Sequence, residues 1–371
     1  MTKLKTFPLI SVKGGPYECG RQHGEQAREL VQRQLKFYFD LWQKQWNAKR
    51  ENILNDCRAM IPVIEDYSPA ILQELEGLAK GTRVTLEEIV ALNARYELVW
   101  TLNLLSVSKG DGCTSLSALP EVTELGHTIL GHNRDYLPII RERMVLLEIR
   151  QQDKPNITML TEAGIIGSVG MNSIGLGVTG NGLVSSVDKF ELKTPIFLLM
   201  REILNSDSFS NAIKAVLTTK TSVSTNYMIA HEAGEVIDLE VTPNDVGFLH
   251  AEDGILSHSN NFLYFTNRED LLDIFKAALP DTLFRFSRAR GLLGKEHGKI
   301  GIESFQRVFS DHFSYPNSIC RHPDSRDEEF RQLCTINSVI MDLNERALFI
   351  AEGPPCTHKY NKISPESLRE S

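Results

Sequence analysis

Ser108-Lys109-Gly110-Asp111-Gly112-Cys113-Thr114-Ser115 is where the chain changes texture, and this stretch decides how the rest is read. Upstream the pattern is helical. From Ala27 the apolar residues Leu30, Val31, Leu35, Tyr38, Leu41, Trp42 and Trp46 step by three or four, as one helix face requires. Ser68 before Pro69 predicts an N-cap with Pro in the first turn. Ile71, Leu72, Leu75 and Leu78 supply the stripe, and Gly81 reads as the stop. Thr85-Leu86-Glu87-Glu88 has the form of a capping box and opens a third helix through Ile89, Val90, Leu92 and Tyr96. Downstream, short β-rich runs follow at 128–130, 144–149, 157–160, 176–179, 227–230, 236–239, 338–341 and 348–350. Turns such as Glu232-Ala233-Gly234-Glu235 and Leu343-Asn344-Glu345-Arg346 separate some of them, and helical stretches are interposed near 195–218, 269–294 and 302–313. Strands in clusters with helices between the clusters predict an α+β chain whose sheets pack together and carry helices outside.

With 371 residues, 42% of them hydrophobic and 24% charged, the chain can bury a substantial core without staples. A net charge of −8 argues against a nucleic-acid partner, which would want a basic face. No apolar run reaches the roughly 18 residues that span a bilayer. Met1-Thr2-Lys3-Leu4-Lys5 lacks the apolar run of a signal peptide, and Leu368-Arg369-Glu370-Ser371 matches no retrieval or peroxisomal tripeptide, so a cytoplasmic location is expected. Cys19, Cys57, Cys113, Cys320, Cys334 and Cys356 are scattered, which fits reduced thiols better than a disulfide framework.

Three elements could carry chemistry. A thiol directly after Asp111-Gly112 could attack the preceding carbonyl, because Gly112 lets the backbone take the geometry of attack. Hydrolysis of the ester-like intermediate would leave Cys113 with a free α-amine, which titrates near ~8 and can serve as base for its own thiol. By itself a Gly-Cys-Thr tripeptide is a weak signal and reads first as an inert core thiol. Gly131-His132-Asn133-Arg134-Asp135-Tyr136 follows a strand and puts the Asp135 carboxylate on a hairpin return from Cys113, in reach of an amine. In Leu256-Ser257-His258-Ser259-Asn260-Asn261, the Asn260 amide suits an oxyanion.

These elements, in this order, resemble the acyl-coenzyme A:6-aminopenicillanic acid acyltransferase family of cysteine N-terminal-nucleophile (Ntn) hydrolases. Also similar are Gly15-Pro16-Tyr17-Glu18-Cys19-Gly20 with His23-Gly24, Asn93-Ala94-Arg95-Tyr96-Glu97, the block Thr161–Ser173, and Tyr315-Pro316-Asn317-Ser318-Ile319-Cys320-Arg321. The resemblance implies a four-layer αββα Ntn-hydrolase sandwich. It also implies self-cleavage between Gly112 and Cys113 into a mainly helical small chain, 1–112, that stays bound to a large chain, 113–371. Cys113 is then the nucleophile, Asp135 the carboxylate beside its amine, Asn260 the oxyanion group and Asn181 a second one. The family's functional Arg shortly before the last strand pair falls on Arg331 or Arg326, with Arg331 preferred; Arg285 is a further candidate. Arg134 stands where penicillin-making relatives carry an aromatic residue, implying a more polar pocket or one suited to an acidic group.

The implied activity is acyl transfer from a small N-acyl amide or acyl-CoA to water or an acceptor amine, with no cofactor. Amide hydrolysis of β-alanyl amines without acyl-CoA is the alternative, and a non-catalytic binding protein on this scaffold is the reading from another class. A papain-like pairing would need His132, His258 or His312 beside Cys113, and none sits in such a signature. Cys320-Arg321-His322, Cys334 and Cys356-Thr357-His358 offer single-residue spacings and no CxxC, a poor set for one tetrahedral metal.

Overall fold

The computed structural model describes residues 7–101, 112–266, 268–328 and 332–369. The first segment forms β1 (Leu9–Gly14), α1 (Pro16–Gln26), α2 (Arg28–Trp46), α3 (Arg50–Tyr67), α4 (Pro69–Thr82), α5 (Leu86–Asn93) and α6 (Arg95–Thr101). A hairpin of β2 (Gly112–Ala118) and β3 (Ile129–Tyr136) is followed by β4 (Met144–Gln151), β5 (Ile157–Glu162), β6 (Val169–Asn172) and β7 (Leu176–Gly182). After α7 (Ile196–Leu204) and α8 (Phe209–Thr218) come β8 (Thr225–His231), β9 (Glu235–Val241), β10 (Val246–His250) and β11 (Ile255–His258). The rest is α9 (Phe275–Ala278), α10 (Thr282–Gly294), α11 (Ile302–Phe309), β12 (Cys334–Asp342), β13 (Ala347–Ala351) and β14 (Asn361–Ile363). Among the described residues no helix is long and apolar enough to cross a membrane.

The strands make two sheets, one in the order β1-β4-β5-β6-β7-β8-β9-β10 and one in the order β11-β2-β3-β12-β13-β14. Val178 and Met228 of the first share a buried cluster with Leu130, Val339 and Met341 of the second, so the sheets pack face to face. Leu198 and Leu199 of α7 and Ala212 and Val216 of α8 join that cluster from the outer face of the larger sheet. A separate cluster covers the outer face of the smaller sheet, where Leu116 and Ile129 meet Ala289 and Leu293 of α10 and Phe305 and Phe309 of α11. This is the expected αββα order. It explains why β2 is buried along its whole length: helices lie on one side and a sheet on the other.

The segment before residue 102 is not only helical. β1 pairs in parallel with β4, Leu9 opposite Leu146, at the edge of the larger sheet. On α2 the stripe Val31, Leu35, Tyr38, Phe39 and Trp42 is buried, each such side chain contributing roughly 1.5–3 kcal/mol. Ser68 caps α4, its hydroxyl accepting from the Ile71 amide at 3.4 Å, and the capping box at Thr85 and Glu88 closes both ways. The expected stop at Gly81 is corrected. α4 runs on to Thr82 and turns out at Arg83, whose φ is 62°. Gly81 serves packing instead: a Cβ there would lie 2.2 Å from the Arg21 carbonyl oxygen, and one on Gly20 of α1 would lie 1.9 Å from that of Glu74. The two helices thus meet backbone to backbone.

The Asn93–Glu97 motif joins these helices to the start of the 161–173 block. The Asn93 amide donates to the Gly164 carbonyl at 2.9 Å and its oxygen accepts from the Ile166 amide at 3.0 Å. Glu97 accepts from the Ile196 amide at 2.8 Å, and Arg95 pairs with Glu162 at 2.9 Å.

Candidate active site

The β2–β3 hairpin sets Gly112 opposite Asp135, Cys113 opposite Arg134, Thr114 opposite Asn133 and Ser115 opposite His132. Cross-strand partners share a face and successive residues alternate. Cys113, Arg134, Ser115 and His132 therefore face the larger sheet, where His132 Nε2 bonds the Gly180 carbonyl at 3.0 Å and Ser115 donates to Asn181 Oδ1 at 2.5 Å. Gly112, Asp135, Thr114 and Asn133 face the helices, where Asn133 donates to the Phe309 and Ile319 carbonyls.

Cys113 is 4% exposed. Its backbone N–H donates to Asn260 Oδ1 at 2.8 Å, and its carbonyl accepts from Arg285 Nη1. Asn260 is fixed in turn, its amide nitrogen donating to the Gly182 carbonyl at 3.0 Å and its backbone N–H to Thr282 Oγ1 at 2.6 Å. Asn260 thus turns its oxygen, an acceptor, toward the Cys113 nitrogen. A different amide points nowhere: Asn181 Nδ2 is buried and has no partner among the described residues.

Arg285 lies in the site but not as an open cation. Fully buried on α10, it donates through Nε to Asp281 at 2.7 Å, through Nη1 to Thr114 Oγ1 at 2.9 Å and through Nη2 to Asn260 Oδ1 at 2.7 Å. Its donors hold the main chain of Cys113 and the side chain that meets it. Asp281 also accepts from Arg321. Burial pushes the Asp281 carboxyl up, but Arg285 and Arg321 outweigh it and hold it below the usual carboxylate range.

Arg321, not among the arginines expected at the site, meets Asp135 directly. Its Nε donates to Asp135 Oδ2 at 3.2 Å, while Thr335 Oγ1 donates to Asp135 Oδ1 at 2.6 Å and accepts from the Arg321 N–H at 2.9 Å. Arg326, expected to fill this place, is 78% exposed at its side chain and bonds Asp324; Arg331 lies outside the described residues. The available signal was Arg321 within the Tyr315–Arg321 stretch. The sequence does not show that Thr335 pairs with Asp135 and brings Arg321 to the same carboxylate.

Gly112 is required for space. A Cβ there would lie 2.9 Å from Asp135 Oδ2 and 3.1 Å from Asp135 Cβ. Arg134, opposite Cys113, is spoken for: it pairs with Glu162 and stacks over Tyr136 at 5.3 Å. Its charge therefore meets a carboxylate of the protein, contrary to the expectation of a pocket tuned to an acidic substrate. Of the histidines, His258 is held by Glu240 at 2.9 Å and by the Ser259 carbonyl at 2.8 Å, and His312 contacts His322. Burial drives the His132 pKa down to about 3, which keeps that ring neutral.

Residues 122–355 match the sequence profile of the acyl-coenzyme A:6-aminopenicillanic acid acyl-transferase family. The 40 kDa form of an acyl-coenzyme A:6-aminopenicillanic-acid-acyltransferase from Emericella nidulans is 31% identical over 319 residues, covering 84% of each chain. Among solved structures, a mutant conjugated bile acid hydrolase from Clostridium perfringens matches 70% of this chain and 94% of its own, at 16% identity and a TM-score of 0.46. The Caenorhabditis elegans ortholog of N-acylethanolamine-hydrolyzing acid amidase matches 70% and 98%, at 15% identity and a TM-score of 0.45. The chain belongs to the acyl-coenzyme A:6-aminopenicillanic acid acyl-transferase family and is an enzyme built on an αββα sandwich.

Proposed function

We propose that the chain cuts itself between Gly112 and Cys113, and that Cys113 then hydrolyses or transfers the acyl group of a small N-acyl amide through a thioester on its sulfur. The observation that carries this reading is the Cys113 nitrogen held on Asn260 Oδ1 at 2.8 Å. In the cut the thiol adds to the Gly112 carbonyl carbon, the C–N bond breaks as its nitrogen takes a proton, and water splits the thioester to a Gly112 carboxylate and a free thiol. The same nitrogen, now an amine, keeps its acceptor on Asn260 and turns its lone pair to the thiol. Departure of Gly112 uncovers Asp135, which its backbone had abutted, beside the new amine.

In turnover the amine takes the thiol proton, sulfur attacks the substrate carbonyl and the leaving amine takes the proton back. Asn181 Nδ2, buried and unengaged on the Cys113 face, is the donor that suits the oxyanion; Asn260, whose oxygen faces the nucleophile, acts by orienting the amine. Water or an acceptor amine then removes the acyl group, the choice that separates hydrolase from transferase. Residues 7–101 remain seated through β1 and the Asn93–Glu97 bonds.

Denaturing gels with N-terminal sequencing test the cut: a purified, active protein that stays one intact chain refutes it. A panel of N-acyl amines, β-alanyl amines included, with and without acyl-CoA, reads the substrate. Turnover only with acyl-CoA and an acceptor marks a transferase, and release of free acid in its absence a hydrolase. Binding without any turnover leaves a non-catalytic scaffold and sinks the proposal.

A further inference from the structure

On the surface beside the site, two loops converge, the one between α11 and β12 and the one after β13. His312 follows α11, Cys320 and His322 flank Arg321 ahead of β12, and Cys356 stands in the turn after β13. His322 Nε2 lies 3.1 Å from His312 Nε2, 3.6 Å from Cys320 Sγ and 3.3 Å from Cys356 Sγ. All four donor atoms lie within 4.8 Å of one another. A tetrahedral zinc ion at about 2.3 Å from sulfur and about 2.0–2.1 Å from nitrogen sets its ligand atoms roughly 3.3–3.8 Å apart. His358 is not part of the group, for its Nε2 meets Arg141 at 2.8 Å, and it is His312, earlier in the α11–β12 loop, that completes the set.

We propose that His312, Cys320, His322 and Cys356 bind one zinc ion as a Cys2His2 site. Two thiols and two neutral imidazoles are the donor set that favours zinc over harder cations. On binding, each thiol gives its proton to solvent and the two thiolates cancel the charge of the ion, so the complex is neutral where Cys320 is buried. His312 and Cys356, both exposed, leave the ion a path from solvent. The backbone is already set. The Cys320 N–H donates to the Asp311 carbonyl at 3.0 Å and the His322 N–H to that of Pro316 at 3.0 Å. The ion clamps the loop before β12 to the turn after β13, and it grips the chain on both sides of Arg321, the positioning residue on Asp135.

The test uses the full chain stripped by chelator and titrated with Co2+ alone, then with Zn2+. One Co2+ per chain is expected, with the strong visible absorption of a tetrahedral ion and a thiolate charge-transfer band, both abolished by one equivalent of Zn2+. Cys356→Ser and His312→Ala, changes at exposed side chains, weaken uptake more than about 100-fold, whereas Cys57→Ala and Cys113→Ala keep it. Zn2+ raises the unfolding midpoint of the parent chain and leaves that of Cys356→Ser unmoved. The proposal fails if uptake is not stoichiometric, if the cobalt spectrum is octahedral, or if the two ligand variants bind as the parent does. It fails equally if thiol counting finds Cys320 and Cys356 joined as a disulfide, or if the midpoint ignores bound zinc.

Discussion

Two buried arginine–carboxylate clusters lie on opposite faces of the same hairpin, and they are put to different uses. On the helix side, Arg285 and Arg321 share Asp281, and Arg321 continues to Asp135. On the sheet side, Arg95 and Arg134 share Glu162, which also accepts from Gln34 and, at 2.9 Å, from Tyr38. Burial pushes the Glu162 carboxyl up, but Arg95 and Arg134 outweigh it and keep it low. The first cluster spends donors on the carbonyl of Cys113 and on Asn260. The second meets aromatic faces, Arg95 lying 4.7 Å from Phe197 and 5.3 Å from Tyr38, and joins helices of the first segment to strands of the second. Buried ion pairs are weak evidence for stability as such. What separates these two is whether their donors reach the main chain of Cys113.

The largest effect expected is that of Cys113→Ala: no new N-terminus at residue 113 on sequencing, and turnover of an N-acyl amide down by about 10^4-fold or more. Next comes the pair that sets the clusters against each other. Arg321→Met takes from Asp135 its buried cation and leaves Asp281 with Arg285 alone, costs about 3–5 kcal/mol in denaturant unfolding, and slows both processing and turnover. Glu162→Gln lowers the unfolding midpoint and loosens the helical segment, yet changes turnover per folded molecule far less; equal kinetic damage from both would erase the distinction. Asn181→Ala should lose roughly 10^2–10^3-fold in kcat with processing intact, and an unchanged kcat takes the oxyanion role from it.

The smallest effect is a pH dependence. Burial opposes the His258 imidazolium, but the charges of Asp238 and Glu240 and the bond to Glu240 prevail and raise its pKa to about 9. Since the folded value exceeds the unfolded one of about 6.5, this stabilisation is complete below that pH and fades as pH rises through about 9. Asp238, pushed up by burial to about 7, titrates with the same sign at lower pH. Thermal midpoints should therefore fall by a few degrees between pH 6.5 and 9, and His258→Gln should flatten that slope. Parallel profiles for parent and variant count against it.

The sequence placed the strands well because both sheets are buried and their runs are apolar, and it singled out Cys113, Asp135 and Asn260, which the fold gathers at the end of one hairpin. Its misses have physical causes. β1 alternates buried and exposed residues in a segment that otherwise reads as helical, and its partner β4 lies far along the chain. The resemblance points to Arg331 or Arg326 and not to Arg321, whose place beside Asp135 is set by Thr335 across a strand pair. Gly81 looked like a helix stop because a glycine needed for close approach has the same letter as one needed for a left-handed turn. The Cys and His cluster does not read as a set because its spacings follow no metal motif and His312 stands eight residues ahead of Cys320.

β1 has one more consequence, in the order of synthesis. It leaves the ribosome long before β4, and at about 5–20 residues per second it waits on the order of ten seconds for the strand it pairs with. A chain started at residue 113 never supplies that strand, so the outer edge of β4 stays bare, a template for edge-to-edge aggregation. The two halves are thus a poor pair to express apart: the early half holds the strip that keeps the late one soluble.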